Sequence, residues 1–179
     1  LQTIINPRLV SDQLNSLISM ADESGRGYYE RWEILNSYSG CMLGNPALSV
    51  LADAYVKGIR TYDTEKAYQY AVNTSRKFGN DSLGYTPETL SISYTLEYAY
   101  ADWCVSQLAK AMGKEEDAMH FYEKGQAYHH IFDKEKGWFR PRNADGSWVA
   151  WSEDALTKEW YGCIESNAYQ QGWFVPHDV

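Results

Sequence analysis

The sequence predicts an all-α fold, built of antiparallel helix hairpins in a double ring with one short β-hairpin. Three observations predict it. Apolar residues recur at 3- and 4-residue steps through most of the chain, the helical period. Segments with one apolar stripe alternate with segments that are apolar on nearly every side. An Asp-Gly pair, Asp145-Gly146, lies between two short aromatic runs, the pattern of a tight hairpin turn.

The first helix is expected over 9–22, capped by Ser11 or Asp12. Val10, Leu14, Leu17, Ile18 and Ala21 form its single stripe. The glycine-rich loop Gly25-Arg26-Gly27-Tyr28-Tyr29-Glu30-Arg31-Trp32 follows. The second helix, 45–57, carries Ala47, Leu48, Val50, Leu51, Ala52, Ala54, Tyr55 and Val56. These cover almost all faces, so it reads as buried nearly all round. The third, 64–78, is polar again, with Ala67, Tyr68, Ala71 and Val72 on one side. The fourth, 91–112, is the most apolar; from Ile92 to Met112 it is charged only at Glu97, Asp102 and Lys110. It should be the least exposed helix. The fifth, 115–132, is amphipathic through Ala118, Phe121, Tyr122, Tyr128 and Phe132. The hairpin follows, with 137–142 and 147–149 flanking Asn143-Ala144-Asp145-Gly146. A sixth helix is expected to start near Glu165 and end before Pro176, with Ala168, Tyr169, Trp173 and Phe174 inward. Striped helices alternating with buried ones are the pattern of outer and inner rings. Three helix hairpins amount to about half of an (α/α)6 toroid; a helical solenoid is the alternative, though the sequence shows no fixed period of the kind such arrays have.

Composition narrows the function classes. The chain has 179 residues, 44% hydrophobic and 22% charged, which is globular. Its net charge is −8, and no more than two basic residues are adjacent. Nucleic acid and anionic membrane are therefore unfavourable partners. No apolar run approaches the ~18 residues that span a bilayer. Seven Trp, fifteen Tyr and five Phe suit glycan contact, and suit wide helix-helix gaps equally well. Cys41, Cys104 and Cys163 form no CxxC, so each reads as a small buried apolar residue. The sequence begins without Met or a signal peptide and stops abruptly at Val179, which suggests a fragment of a longer protein.

No Walker loop, GxGxxG, HExxH, EF-hand or GxSxG pattern occurs. The histidines, His120, His129, His130 and His177, read as surface or packing residues. The carboxylates are more informative. Glu97 and Asp102 lie on the most apolar helix, where a carboxylate is costly unless paired or functional. If buried, each should have a hydrogen-bond partner. Glu165 opens a predicted helix with Asn167 and Gln170 nearby, and helix-terminal charge stabilisation is its bland role.

Three segments carry a family resemblance. They are Cys41-Met42-Leu43-Gly44-Asn45-Pro46-Ala47 leading to Ala52-Asp53-Ala54-Tyr55-Val56-Lys57-Gly58-Ile59; Ser93-Tyr94-Thr95-Leu96-Glu97-Tyr98-Ala99-Tyr100-Ala101-Asp102-Trp103; and Glu165-Ser166-Asn167-Ala168-Tyr169-Gln170 running to Trp173-Phe174-Val175-Pro176-His177-Asp178. In this order they resemble glycoside hydrolase family 92, the bacterial exo-α-mannosidases. The resemblance implies an (α/α)6 catalytic toroid behind a β-sandwich, calcium dependence, inversion at the anomeric carbon, and export to the periplasm or cell surface. It places the general acid on Glu165. The family's general base belongs to a later Gly-Asn-Glu-Asp-type motif, which is absent through residue 179. The chain thus resembles part of the toroid, inactive alone, with open edges suited to self-association. Trp32, Glu97 and Asn167 are the candidate substrate contacts, for a mannose-containing glycan. Asn167 and Gln170 are candidate calcium ligands by oxygen chemistry, though packing or capping suits them as well. The family usually has Trp-Gln-Tyr at Tyr169-Gln170-Gln171, and Leu-Pro where Glu30-Arg31 precede Trp32. Competing readings are a helical glycan-binding or interaction module without turnover, and another helical-toroid glycosidase or lyase.

Overall fold

The computed structural model describes residues 1–35, 37–80 and 82–179. The elements are α1 (Gln2–Ile5), α2 (Pro7–Glu23), α3 (Pro46–Val56), α4 (Thr64–Lys77), α5 (Ser91–Ala111), α6 (Glu115–Gly125), a 3-10 turn (Ala127–Ile131), β1 (Phe132–Asp133), β2 (Trp138–Phe139) and α7 (Ala168–Gln171). The class is the expected one, helices with one small antiparallel sheet. The chain divides into two compact units.

The first unit comprises 1–78 and 101–122. Here α2 begins earlier than expected. Its cap is Asn6, whose side chain accepts from the Leu9 N–H, with Pro7 in the first turn; neither Ser11 nor Asp12 caps it. Pro fits there because its missing N–H would be unbonded anyway. The stripe is as read, with Val10, Leu14, Ile18 and Ala21 buried. Helix α4 is capped by Asp63, whose carboxylate accepts from the Lys66 N–H at 3.0 Å. Helix α3 corrects the sequence reading. Ala47, Leu48, Leu51, Ala52 and Ala54 are buried, but Pro46, Val50, Asp53 and Val56 are exposed. Those four follow one another at helical steps, so α3 has a solvent stripe and is not covered all round. Asp102 is fully buried and receives the Ser75 hydroxyl, as the cost of an unbonded buried carboxylate requires. Cys41 is exposed, against the expectation of burial; Cys104 and Cys163 are buried.

The second unit comprises 79–100 and 123–179. Its core gathers Tyr85, Ile92, Leu96, Tyr128, Ile131, Phe139, Cys163 and Ala168, with Trp138, Leu156, Phe174 and Val175 against it. Ile92, Leu96 and Ile131 are fully buried, worth about 1.5–3 kcal/mol each. The α5 prediction holds: within the helix only Lys110 and Ala111 are exposed.

Two local predictions fail here. The fifth helix stops at Gly125, seven residues short of the expected end at 132. The ladder forms between Phe132–Asp133 and Trp138–Phe139, not at Asp145-Gly146. Asp133 explains this. Its Oδ1 accepts from the N–H groups of Glu135 and Lys136, and its carbonyl accepts from Gly137, so it folds the reversal itself. Arg140 also donates to Asp133 at 2.8 Å. Around Asp145-Gly146 there is a hydrogen-bonded turn closed by one isolated bridge, Arg142 to Trp148.

The sixth helix is also reduced. Only Ala168–Gln171 is helical, and Tyr169 and Trp173 are exposed rather than inward, at 50% and 74%. Its cap is Asn167 in a reciprocal box with Gln170. Glu165 stands before the helix, outside it.

Candidate functional site

The Glu165 segment is held at both ends. Cys163 and Ala168 are fully buried members of the core, so the chain is fixed on either side of the carboxylate. Burial pushes the Cys163 thiol up to about 12, partly opposed by a Ser166 hydrogen bond, so it is an inert packing group. Tyr161 and Gly162 are buried too. Gly162 has φ +79, and a Cβ there would lie 2.7 Å from Ile92. Only glycine fits, and its carbonyl accepts from the Ser93 N–H at 3.0 Å.

Ser93 on α5 is the central anchor. Its hydroxyl accepts from the Ile164 N–H at 2.8 Å and bonds to the Gln171 side chain. Ser166 also donates to Gln171, at 3.3 Å. Trp138 donates its indole N–H to the Ala168 carbonyl at 3.0 Å, and the Tyr169 N–H reaches Leu156 at 3.2 Å. Between these ties Glu165 is exposed, with φ +51. A left-handed backbone costs a side-chain-bearing residue about 1–2 kcal/mol and is typically retained where it aims a functional group.

Glu97 lies one helical turn beyond Ser93, on the same face of α5. It is half-buried, with no ion-pair or hydrogen-bond partner among the described residues. Burial alone raises its pKa above the usual carboxylate value. The partner expected of a buried carboxylate is present for Asp102; Glu97 is only half-buried, so that expectation does not apply to it. Further along, Tyr100 packs edge-on against Phe174, ring centroids 5.5 Å apart. His177 bonds the Gly125 carbonyl at 2.9 Å, and burial is the main cause holding its pKa below the ordinary value.

Asn167 and Gln170 do not make a calcium site by themselves. Each amide oxygen already accepts a backbone N–H of the other residue. Calcium takes 6–8 oxygens, and no group of three or more His, Cys, Asp or Glu suited to a metal occurs among the described residues. Their established task here is capping.

Trp32 belongs to the first unit. It is 59% exposed, with φ +51. The preceding residues are buried: Glu30 pairs with Arg26, and Arg31 lies over Phe78 at 5.1 Å and Tyr38 at 5.6 Å. Tyr29 fastens the loop through its N–H to Thr74 and its hydroxyl to Ala67. Trp32 thus projects from a secured base, its ring without a partner among the described residues.

The structure thus groups Glu165, Asn167 and Gln170 on one short segment, with Glu97 a turn from that segment's anchor. It does not place Trp32 in that unit. Sequence reasoning missed Ser93, Gly162 and Gln171 as positioning residues. A small hydroxyl residue four positions before Glu97 on the most apolar helix was the available signal.

The family model for the glycosyl hydrolase family 92 catalytic domain matches residues 1–179. The chain belongs to glycosyl hydrolase family 92. A solved family GH92 α-mannosidase from Bacteroides thetaiotaomicron is 33% identical, with TM-score 0.87, covering 97% of this chain and 24% of that one. An inverting family GH92 mannosidase from the same species is 29% identical, with TM-score 0.86 and coverage of 96% and 25%. The α-mannosidase has also been solved with mannoimidazole, at TM-score 0.88. A fungal relative from Arthroderma benhamiae, named an uncharacterized secreted glycosidase, is 29% identical over 76% of this chain and 23% of its own length. The family 92 chain spans about a quarter of these relatives. With family 92 established, the all-α helix-hairpin class is that of its toroid enzymes.

Proposed function

We propose that this chain is a portion of the catalytic toroid of an exported exo-α-mannosidase. The enzyme removes terminal α-linked mannose from glycans with inversion and depends on calcium. Glu165 is the general acid, and Trp32, Glu97 and Asn167 contact the sugar. The observation that carries the reading is the exposed Glu165 on a left-handed backbone, braced by Ser93 and by the buried Cys163 and Ala168. Such bracing fixes a proton donor against a leaving oxygen.

Inverting hydrolysis uses one carboxylic acid to protonate the leaving-group oxygen. A second carboxylate, about 6.5–9.5 Å away, activates water on the opposite face of the ring. Glu165 supplies the first function. The second is assigned to the family's later motif, so the 179-residue chain alone is inactive. Glu97 is partly desolvated and without a partner among the described residues, and a sugar hydroxyl would satisfy it. Calcium would polarise sugar oxygens when bound; Asn167 and Gln170 would supply two of the 6–8 oxygens it takes, and no step is assigned to it. Support for export is the name of the secreted fungal relative.

The test is Glu165→Gln in a catalytic domain that contains this chain. Turnover of an aryl α-mannoside should fall by about 10²–10⁴, with mannoside binding retained. Turnover within twofold of the parent would reject Glu165 as the acid. A parent domain that binds mannosides without hydrolysing them would establish the binding-module reading instead.

A further inference from the structure

A pocket of about 430 Å³ opens in the second unit, and Glu165 does not line it. Buried Pro141, Tyr161 and Gly162, half-buried Asn143, and exposed Trp160 and Glu88 are among the residues that line it. The size falls within the ~300–1,000 Å³ of small-molecule sites. Its walls are tied to fixed backbone. The Glu88 N–H donates to the Arg142 carbonyl at 2.8 Å, the Tyr85 hydroxyl to the Asn143 carbonyl at 2.7 Å, and the Tyr161 hydroxyl to Ala150 at 3.0 Å. Gly162 is wedged against Ile92 and Pro141.

Two groups around this pocket lack partners among the described residues: the Trp160 ring, half exposed, has no hydrogen-bond or ring partner there, and the Glu88 carboxylate has none either. Asn143 donates its amide to Ser147, while its Oδ1 accepts nothing from the described residues. Trp160 and Glu88 both have left-handed backbones, φ +63 and +80. For so bulky a residue as Trp this is an outlier, held here by the packed base.

The chemistry of the lining selects its ligand. It contains no Lys, Arg or His, so a phosphate or carboxylate would enter without a counter-charge. A purely apolar molecule would desolvate Glu88 for nothing in return. A neutral pyranose suits all the groups: its C–H face lies on the indole, and adjacent hydroxyls donate to a carboxylate and an amide oxygen.

We propose that the pocket bordered by Trp160, Glu88 and Asn143 is a subsite for a sugar ring of a mannose-containing glycan, other than the ring cleaved at Glu165. The choice of mannose rests on the mannosidase reading above. The ring stacks on Trp160 and hydrogen-bonds to Glu88 and Asn143.

The test is titration of the 179-residue chain with an α-linked mannotriose, followed on the tryptophan indole resonances and by calorimetry. The Trp160 resonance, assigned through Trp160→Phe, should shift saturably. Trp160→Ala should weaken binding at least tenfold and Glu88→Gln threefold or more, with unchanged thermal midpoints. If Trp160→Ala unfolds the chain, Glu88→Gln and the Trp160 resonance still decide. An unshifted Trp160 resonance overturns the proposal, as does unchanged affinity in Glu88→Gln. A response to tetramethylammonium but not to mannotriose also overturns it, since indole plus carboxylate would then be a cation site. A response only to non-mannose sugars refutes the mannose assignment. Failure of the mannosidase reading shows separately, as Glu165-independent turnover of an aryl mannoside, which has one sugar ring and does not need this pocket.

Discussion

Replacing Ser93 with alanine removes one hydroxyl that serves two segments at once. Ser93 is fully buried; its oxygen accepts from Ile164 at 2.8 Å and bonds to Gln171. Without it the Ile164 N–H loses its partner, at about 1–3 kcal/mol. Gln171 retains Ser166 at 3.3 Å, so its loss is about 1 kcal/mol. The sum, about 2–4 kcal/mol, should lower the thermal midpoint by about 4–16 °C at 2–4 °C per kcal/mol. Ser91, two residues earlier, provides the contrast. Its hydroxyl is also fully buried but has no partner among the described residues, so Ser91→Ala should be neutral or raise the midpoint by a few degrees. Melting followed by circular dichroism measures both variants. Amide exchange at Ile164 and Glu165 should accelerate in Ser93→Ala alone. Equal melting of the two variants, or unchanged exchange at Ile164, would refute the anchoring of the Glu165 segment by Ser93.

Three further outcomes are expected. Glu97 has a raised pKa through burial, so the folded state binds its proton more tightly than the unfolded chain. Its penalty is absent below the ordinary value of 4.5 and grows as pH rises through the raised one. Glu97→Gln should therefore raise the midpoint at pH 7, leave it unchanged at pH 3.5, and weaken mannoside binding in the catalytic domain. Asp133 behaves oppositely: burial pushes its pKa up, but Arg140 and the N–H groups of Lys136 and Glu135 outweigh it and hold the pKa low. Its contribution is present above the ordinary 3.8 and lost as pH falls through the lowered value. At pH 7, Asp133→Asn leaves Arg140 without its carboxylate and should cost about 3 kcal/mol, read by urea denaturation. Leu1, Ile4, Ile5, Leu35 and Trp173 are each at least 66% exposed, so the isolated chain should self-associate in sedimentation velocity and show no aryl α-mannosidase turnover with calcium. A monomer at high concentration would count against the first claim, and calcium-dependent turnover against the second.

Legibility in the sequence followed the physics of each segment. Helices α2, α4 and α5 were readable because a sustained apolar period needs only burial on a helix face. The second reading was too apolar: Val50 and Val56 are hydrophobic yet exposed, and composition cannot show which side lacks a neighbour. The hairpin was misplaced because Asp145-Gly146 offers a familiar turn pair, while Asp133 builds its reversal through its own carboxylate. Glu165 was singled out through the motif around it, but its conformation was not legible. A left-handed Glu has no local signature; it exists because Gly162, Ser93 and the core hold the chain on both sides. Glu97 was singled out as a carboxylate on an apolar helix, and among the described residues it has no partner.

The left-handed backbone at Glu165 bears on how this scaffold can be engineered. Glycine tolerates φ +51 without the side-chain penalty, and Asn tolerates it better than Glu. A library screened for heat resistance alone will therefore enrich Gly or Asn at position 165, and glycine likewise at positions 32, 88 and 160, which share the conformation. Selection for robustness would erode the groups assigned here to sugar chemistry, so any such campaign needs a turnover or binding screen alongside the thermal one.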